Sequence, residues 1–360
     1  MAPVTLNLEA DVVELTRDIC DIESVSGNEK ALADAIETAL RGYSHLEVIR
    51  DADAIVARTN LGRSSRVVIA GHIDTVPVAN NLPVKLLSME REQVLYGRGT
   101  VDMKAGVAVQ LKLAATVSEP NTDVTYIFYD HEEVEASKNG LGRLARNRPD
   151  LLDASFAVLC EPTSAEVEGG CNGTMRVELH FKGVKAHSAR PWMGKNAIHD
   201  SAKALTTLAS YVPEEVEVDG LVYRESLNAV LIKGGIATNV IPDDCVITVN
   251  YRFAPSKSGA QAEAHLREVF ADVELKVVDL AEGARPGLDR AEAKAFVAAT
   301  KTTARPKYGW TDVARFSALG IPAVNFGPGD PAKAHADDES LPVSQIYACE
   351  KALRAWLTVG

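Results

Sequence analysis

Short apolar runs alternate with helical patterns over the first 160 residues of the chain, and this order restricts the folds open to it. Apolar runs rich in β-branched residues occur at 67–70, 124–129 and 156–160. Helical spacing of apolar residues precedes the first run, between about 11 and 42, and separates the first two runs, at 104–117. Strands that alternate with helices favour an α/β domain with a largely parallel sheet covered on both faces.

The pattern changes near Gly173 and returns to its first form after Pro286. Between these points, strand-like alternation and helical spacing follow in the order β-α-β-β-α-β, at 174–183, 197–211, 227–241, 245–254, 261–271 and 273–280. That order is typical of a ferredoxin-like sandwich. Beyond it, a helix from Ala291, a strand at 323–326 and a helix from Val343 are predicted. We therefore predict a discontinuous α/β domain, 1–173 with 288–360, interrupted by an inserted domain at 174–287.

Charge and cysteine content exclude several classes of function. The 360 residues carry 38 Lys and Arg against 50 Asp and Glu, a formal charge of −12, which disfavours nucleic-acid or anionic-membrane partners. Residues 1–20 lack the pattern of a signal peptide, and no apolar run is long enough to span a membrane. Five scattered cysteines without a CxxC pair suit a reducing compartment, so we expect a cytoplasmic protein.

Charged side chains follow the predicted strands. His72 and Asp74 come directly after the run at 67–70, and period-two geometry places both on one side if the strand continues. A carboxylate there can hold a metal-ligating imidazole in the correct tautomer. The alternative is a strand-end histidine held by a nearby aspartate without any metal.

Four further positions could supply metal ligands or a base. Asp102 follows a glycine-rich segment, although an aspartate before a helix is usually an N-cap. Glu132 and Glu133 follow the second run and could divide the work, one binding metal and the other taking a proton from water, but a surface acidic turn is the alternative. Glu161, before Pro162, could instead be part of a turn.

His335, on a loop after the strand at 323–326, could equally be a solvent-exposed residue. Considered together, the candidate metal ligands lie at strand ends or loop starts on one predicted edge of one sheet: His72, Asp102, Glu133, Glu161 and His335. Two imidazoles and three carboxylates suit a pair of zinc-like ions, with Asp102 as a bridging ligand between them. A two-metal site of this kind polarises a carbonyl and holds a hydroxide for hydrolysis.

Seven motifs, in order along nearly the whole chain, resemble those of the dinuclear-zinc aminoacylase, carboxypeptidase and desuccinylase family of metallohydrolases. They are GHIDTVP (71–77), GRGTVDMKAG (97–106), DHEEVE (130–135), CEPTS (160–164), GVKAHSARP (183–191), TNVIP (238–242) and FGPGDPAKAHADDE (326–339). The resemblance implies a zinc-exopeptidase-like catalytic domain with an inserted ferredoxin-like domain that acts as a lid and dimerises. It also implies hydrolysis of the amide in a small, carboxylated N-acyl amino acid.

The resemblance assigns roles to individual residues. The implied ligands of two Zn²⁺ per subunit, which Co²⁺ can replace, are His72, Asp102, Glu133, Glu161 and His335. Glu132 is the implied general acid and base, Asp74 orients His72, and His187 stabilises the oxyanion in the partner subunit of a homodimer. The implied contacts to the substrate are Asn239 and Arg252, and we add Thr311 and Arg315 as candidates.

The chain departs from the family pattern at three points. His131 stands where many relatives have Asp, and Asn172 stands where some desuccinylases carry a basic residue. Asp312 lies one position earlier than the aspartate of the usual Ser-Asp-Gly-Arg. Two alternatives remain open: another deacylase, aminoacylase or dipeptidase with the same site, and a non-catalytic metal-binding dimer. A base such as Glu132 beside the ligands argues against the second.

Overall fold

The structure is a computed structural model that describes residues 5–89 and 92–358, so the predicted domain limits at 1 and 360 lie outside the described residues. Its helices are α1 (Val12–Cys20), α2 (Lys30–Leu40), α3 (Lys104–Thr116), α4 (Gly140–Asn147), α5 (Ala197–Asp200), α6 (Ala202–Ser210), α7 (Gly259–Val269), α8 (Ala291–Thr300), α9 (Val313–Ala318) and α10 (Val343–Thr358). Its strands are β1 (Glu47–Asp51), β2 (Ala54–Arg58), β3 (Arg66–His72), β4 (Lys85–Ser88), β5 (Gln93–Tyr96), β6 (Asp123–Tyr129), β7 (Phe156–Leu159), β8 (Glu168–Gly169), β9 (Gly173–Lys182), β10 (Ala186–His187), β11 (Glu215–Val218), β12 (Leu221–Arg224), β13 (Ser226–Gly234), β14 (Val240–Ile241), β15 (Asp244–Phe253), β16 (Glu274–Ala281), β17 (Arg305–Pro306), β18 (Ala323–Asn325) and β19 (Ser340–Pro342).

The first of two compact units contains a mixed eight-stranded sheet. Among the described residues, this unit comprises 5–169 without 90 and 91, 287–305 and 315–358. The strand order is β1-β2-β6-β3-β7-β18-β8-β17, and the neighbours β6, β3, β7 and β18 are mutually parallel. The predicted α/β class is confirmed, with antiparallel additions at β1, β2 and β8 that the sequence did not indicate.

Burial explains why the central strands are continuous apolar runs. Every residue of β6 is buried, as is every residue of β3 after Arg66. Helix α3 is also buried on nearly all sides, from Lys104 to Ala115. A parallel strand covered on both faces buries side chains of both orientations, so its sequence does not alternate. The apolar runs therefore mark the strands whose carboxyl ends carry the charged residues.

The second unit comprises Gly170–Pro286 and Pro306–Ala314. Its four-stranded antiparallel sheet has the order β13-β15-β9-β16, with α5 and α6 between the first two strands in the chain and α7 before the last. This is the strand order of a ferredoxin-like sandwich, as predicted. In β15, buried residues alternate strictly with more exposed ones, because one face packs in the core of this unit and the other does not.

One predicted boundary is wrong. The sequence predicts that residues 306–314 belong to the catalytic domain, but the structure places them in the second unit. Their contacts within that unit explain the placement: the Trp310 indole N–H donates to the Glu282 carbonyl at 3.0 Å, and the Asn172 N–H donates to the Lys307 carbonyl at 3.3 Å. Hydrogen bonds between residues so far apart in the chain leave no local pattern in the sequence.

Two properties of the described residues bear on the predicted environment of the protein. None of the helices within 5–89 and 92–358 combines the length and the apolar character that crossing a bilayer requires. All five cysteines are free and buried.

Candidate metal centre

Parallel strands of the first unit end at one edge of its sheet, and charged side chains follow them. His72 ends β3, Glu132 and Glu133 follow β6, and Glu161 follows β7. His335 lies on the loop after β18. In open α/β sheets, sites form beyond the carboxyl ends of the strands, where side chains from successive loops converge.

Asp102 lies between the two histidines. Its Oδ1 is 3.1 Å from His72 Nε2, and its Oδ2 is 3.3 Å from His335 Nε2. The residue that caps α3 is Met103, so the alternative reading of Asp102 as a helix N-cap is wrong. Each carboxylate oxygen of Asp102 therefore faces a different imidazole. Its role as a bridging ligand stays a prediction.

The described residues include three overlapping groups that could hold a metal ion. One is His72, Asp102 and Glu161, and another is Asp102, Glu133 and His335. The third joins Glu132 to His72 and Glu133. In each group the candidate ligand atoms lie within 4.8 Å of one another. The first two groups share only Asp102, so the five predicted ligands form two sets joined by one carboxylate.

Two glycines allow other segments to pack closely against the backbone beside Glu161. A Cβ on Gly106 of α3 would lie 2.3 Å from the Cys160 carbonyl oxygen, and one on Gly327 would lie 2.3 Å from the same atom. Such distances are too short for any side chain, so only glycine permits this approach. The close packing fixes the start of the segment that carries Glu161, which is itself buried.

Asp74 connects β3 to the loop after β6. His72 Nδ1 lies 3.0 Å from the Asp74 backbone carbonyl and 3.4 Å from one of its carboxylate oxygens. The two carboxylate oxygens accept the backbone N–H groups of Glu132 and Glu133, each at 3.1 Å. The Ser26 hydroxyl also donates to Asp74. Because Nδ1 of His72 faces Asp74, its Nε2 is left to face Asp102. The role of Asp74 as an orienting carboxylate stays a prediction.

The electrostatics of these residues favour positive charge at this edge. Burial alone would lower the pKa of His72, but hydrogen bonds with Asp102 and Asp74 raise this pKa well above its ordinary value. Hydrogen bonds with Asp102 and Glu133 raise the pKa of His335 to about 10. Burial opposes ionisation of Asp102, yet its two histidine partners lower its pKa. Carboxylates and imidazoles without a thiolate are a donor set that fits Zn²⁺ or a similar divalent ion.

Glu339 is a site residue that our sequence reasoning did not assign. It is fully buried, and its carboxylate accepts the backbone N–H groups of Gly99, Val101 and Asp102 at 3.1, 2.8 and 3.1 Å. It also pairs with Arg98 at 2.8 Å. Glu339 thus fixes the loop that presents Asp102. The only signal in the sequence was its position at the end of the motif at 326–339.

The other predicted residues lie mostly in the second unit. His187 is an exposed residue of β10, where it pairs with Val240 of β14. The backbone of the adjacent Ser188 donates to the Asn239 carbonyl at 2.9 Å. Arg252 is on β15, and its Nε donates to Asn250 Oδ1 at 3.2 Å. Their roles in substrate binding stay predictions.

The remaining candidates, Thr311 and Arg315, fall in different units. Thr311 is a buried residue of the second unit, whose carbonyl is contacted by the Cys171 thiol at 3.7 Å. Arg315, in α9, belongs to the first unit, and its guanidinium lies against α4, where a Cβ on Gly142 would be 2.7 Å from Nη1. The structure leaves their predicted contacts with substrate as predictions.

Comparison with known proteins identifies the family. Residues 68–358 match the profile of peptidase family M20/M25/M40. The match spans most of the chain, so the chain belongs to this family, and the predicted resemblance and the predicted class of enzyme, a hydrolase, are confirmed.

Two relatives are similar over nearly their whole length. The chain is 52% identical over 355 residues to a Mycobacterium tuberculosis protein named a candidate succinyl-diaminopimelate desuccinylase, covering 98% of this chain and 99% of the relative. It is 44% identical over 364 residues to the succinyl-diaminopimelate desuccinylase of Corynebacterium glutamicum, covering 98% of each. The folds of more distant proteins agree: a Staphylococcus aureus tripeptidase gives a TM-score of 0.80 at 20% identity over 99% of each chain. A dinuclear metal-binding M20 peptidase of Bacillus subtilis gives 0.73 at 15% identity over 97% of each chain.

Proposed function

We propose that this chain is a metal-dependent amide hydrolase that removes succinate from N-succinyl-LL-2,6-diaminopimelate and releases LL-2,6-diaminopimelate for lysine biosynthesis. The observation that carries the proposal is full-length identity of 52% and 44% to relatives named for this activity. The cluster around Asp102 supports it, because that cluster combines a set of metal donors with an additional carboxylate, Glu132.

Two ions, Zn²⁺ with Co²⁺ as a substitute, would be held by His72, Asp102, Glu133, Glu161 and His335. When bound, such ions polarise a carbonyl and make water more acidic. The donor set fits this role, since Asp102 presents one oxygen to each histidine.

The residues of the chain have separate tasks in the proposed reaction. Glu132 takes a proton from the attacking water and returns it to the leaving amine, the usual work of a general base that becomes a general acid. Asp74 keeps His72 oriented through Nδ1. His187 of a partner subunit donates to the oxyanion, and Arg252 and Asn239 bind a carboxylate end of the substrate, with Thr311 and Arg315 as further contacts.

A panel of substrates tests the proposal. Zinc-loaded protein is offered succinyl-diaminopimelate, acetylornithine, an N-acyl amino acid and a dipeptide, and kcat/KM is measured for each. We expect succinyl-diaminopimelate to give the highest value. A higher value for another compound would identify the chain as a different deacylase or dipeptidase of the family. If the zinc-loaded protein hydrolyses none of the compounds, the chain is a non-catalytic metal-binding protein.

We also propose a homodimer formed through the second unit, with a second copy of this chain as partner. Strand β13 lies at the edge of its sheet, and Val230, Leu231 and Ile232 on it are 57%, 48% and 50% exposed. Consecutive exposed apolar residues on an unpaired edge strand are a liability unless another surface covers them. The free cysteines are in keeping with the predicted cytoplasmic location, which stays a prediction.

We predict that Ile232→Lys converts the dimer to a monomer, because burying an ammonium group at an apolar interface without a partner is costly. Size-exclusion chromatography with light scattering measures the mass. Since His187 is proposed to act in the partner subunit, the monomer should also lose most of its kcat. The matched control is Val212→Lys, at another exposed apolar residue of the second unit. An Ile232→Lys variant with the same mass as wild type would exclude β13 as the interface.

A further inference from the structure

The loop that presents Glu132 and Glu133 is held by three successive backbone N–H groups. Those of Glu132 and Glu133 donate to Asp74, whereas the N–H of His131 donates to Glu29 Oε1 at 3.2 Å. Glu29 Oε1 also accepts the Gly27 N–H at 2.9 Å. Asp74 has a role beside His72, but nothing in the proposed reaction accounts for Glu29, which is buried.

His131 adopts a backbone conformation that needs support. Its φ is +59°, in the left-handed region, where a residue with a Cβ is disfavoured by roughly 1–2 kcal/mol. Its side chain is held on two sides: Nδ1 lies 2.7 Å from Asp130 Oδ2 and 3.4 Å from Glu29 Oε1. Glu29 thus contacts both the backbone and the imidazole of His131, directly before the two glutamates of the candidate centre.

The contacts continue from His131 into the sheet. Arg143 of α4 forms a bidentate ion pair with the Asp130 carboxylate, with Nη2 2.7 Å from Oδ1 and Nη1 3.1 Å from Oδ2. The same guanidinium bonds to Asp51 of β1 through Nε at 2.6 Å. Glu29 and Asp130 are each only 1% exposed. The imidazole of His131 therefore joins two buried carboxylates, one anchored to α4 and β1 and the other to the segment before α2.

We propose that Glu29 is a positioning residue that acts through His131: it holds residues 131–133 so that the carboxylates of Glu132 and Glu133 face His72 and His335. This assigns a task to the imidazole of His131, which the proposed reaction does not use. The proposal rests on the proposed function only for the role of Glu132, whereas its consequence for metal binding is independent of any substrate.

Two substitutions at Glu29 test the proposal, with Zn²⁺ affinity from chelator competition, kcat, KM and thermal unfolding as readouts. We expect Glu29→Ala to weaken Zn²⁺ affinity by about 10–100-fold, the usual effect of losing a group that orients metal ligands. We also expect kcat to fall while KM stays close to that of wild type. Glu29→Gln keeps an oxygen that accepts the N–H groups of Gly27 and His131. Its Zn²⁺ affinity and kcat should therefore be much closer to those of wild type than the values of Glu29→Ala. Glu23→Ala, at an exposed glutamate of the same segment, is the matched control.

Two variants of His131 separate the contribution of its backbone conformation from that of its side chain. His131→Gly removes the imidazole but adopts the left-handed conformation without cost, so it should retain more Zn²⁺ affinity than His131→Ala. If Glu29→Ala does not fold, Glu29→Gln and the two His131 variants carry the comparison. The proposal is overturned if folded Glu29 variants unfold at a lower temperature yet bind Zn²⁺ and turn over as wild type does. If Glu29→Ala binds Zn²⁺ more weakly but the wild-type protein hydrolyses no amide, the positioning role of Glu29 is supported and the proposed function is refuted.

Discussion

Glu132→Gln should lower kcat by roughly 10²–10⁴-fold, the usual contribution of a general base. The amide has almost the same shape as the carboxylate but cannot take a proton from water at neutral pH. Glu132 lies in one candidate group with His72 and Glu133, close enough to reach a water held there. The five other donors remain, so metal content should be unchanged. The measurements are steady-state kinetics on metal-replete protein and metal analysis of the same samples.

The control for this prediction is Glu135→Gln, an exposed residue two positions beyond Glu133 whose partner is Lys138. It changes the same charge on the same loop without touching the candidate centre, so its kcat should match that of wild type. A Glu132→Gln enzyme that carries its full complement of metal and retains wild-type turnover would remove Glu132 from the role of base. A loss of metal as well as turnover would instead make Glu132 a ligand.

Asp102→Asn should reduce bound metal from two ions per subunit to one or fewer. Each oxygen of Asp102 faces a different histidine, and an asparagine offers one oxygen and an NH₂ group that cannot ligate. A bound metal contributes several kcal/mol to such a reaction, so kcat/KM should fall by about a thousandfold or more. Metal stoichiometry is measured by mass spectrometry of inorganic elements after dialysis, together with kinetics.

Asp150→Asn is the control for the change from carboxylate to amide, because Asp150 is exposed and pairs only with Arg148 among the described residues. Retention of two ions by Asp102→Asn would contradict a bridging role. Loss of one ion with the second still tightly bound would show that the two sets of donors are unequal in affinity.

The parts of the fold that local sequence determines were predicted, and those that depend on distant pairing were not. Strands β3, β6 and β7 were found because burial on both faces makes them continuous apolar runs. Strand β4 was not predicted, since its four residues are exposed and show no alternation of apolar and polar residues. It belongs to a small sheet in which β5 pairs with β19, and the pairing of Leu95 with Leu341 joins residues with no common local pattern.

The candidate site divides in the same way. His72, Asp102 and His335 were predicted because each belongs to a motif with a recognisable chemistry. Glu339 and Glu29 were not predicted, because their roles depend on the backbone N–H groups whose hydrogen bonds they accept. Those donors are remote in sequence. Residue type alone marks neither as different from the many glutamates of an acidic surface.

The candidate ligands come from five separate segments of the first unit, and this spacing has a thermodynamic consequence. Ions held by all of them would act as a removable cross-link, since the unfolded chain cannot offer the same donors together. Binding to the native state alone stabilises it by RT ln(1 + [L]/Kd), about 2.7 kcal/mol when the free ion is at a hundred times its Kd. The supply of divalent metal would then govern how long the enzyme survives as well as how fast it works.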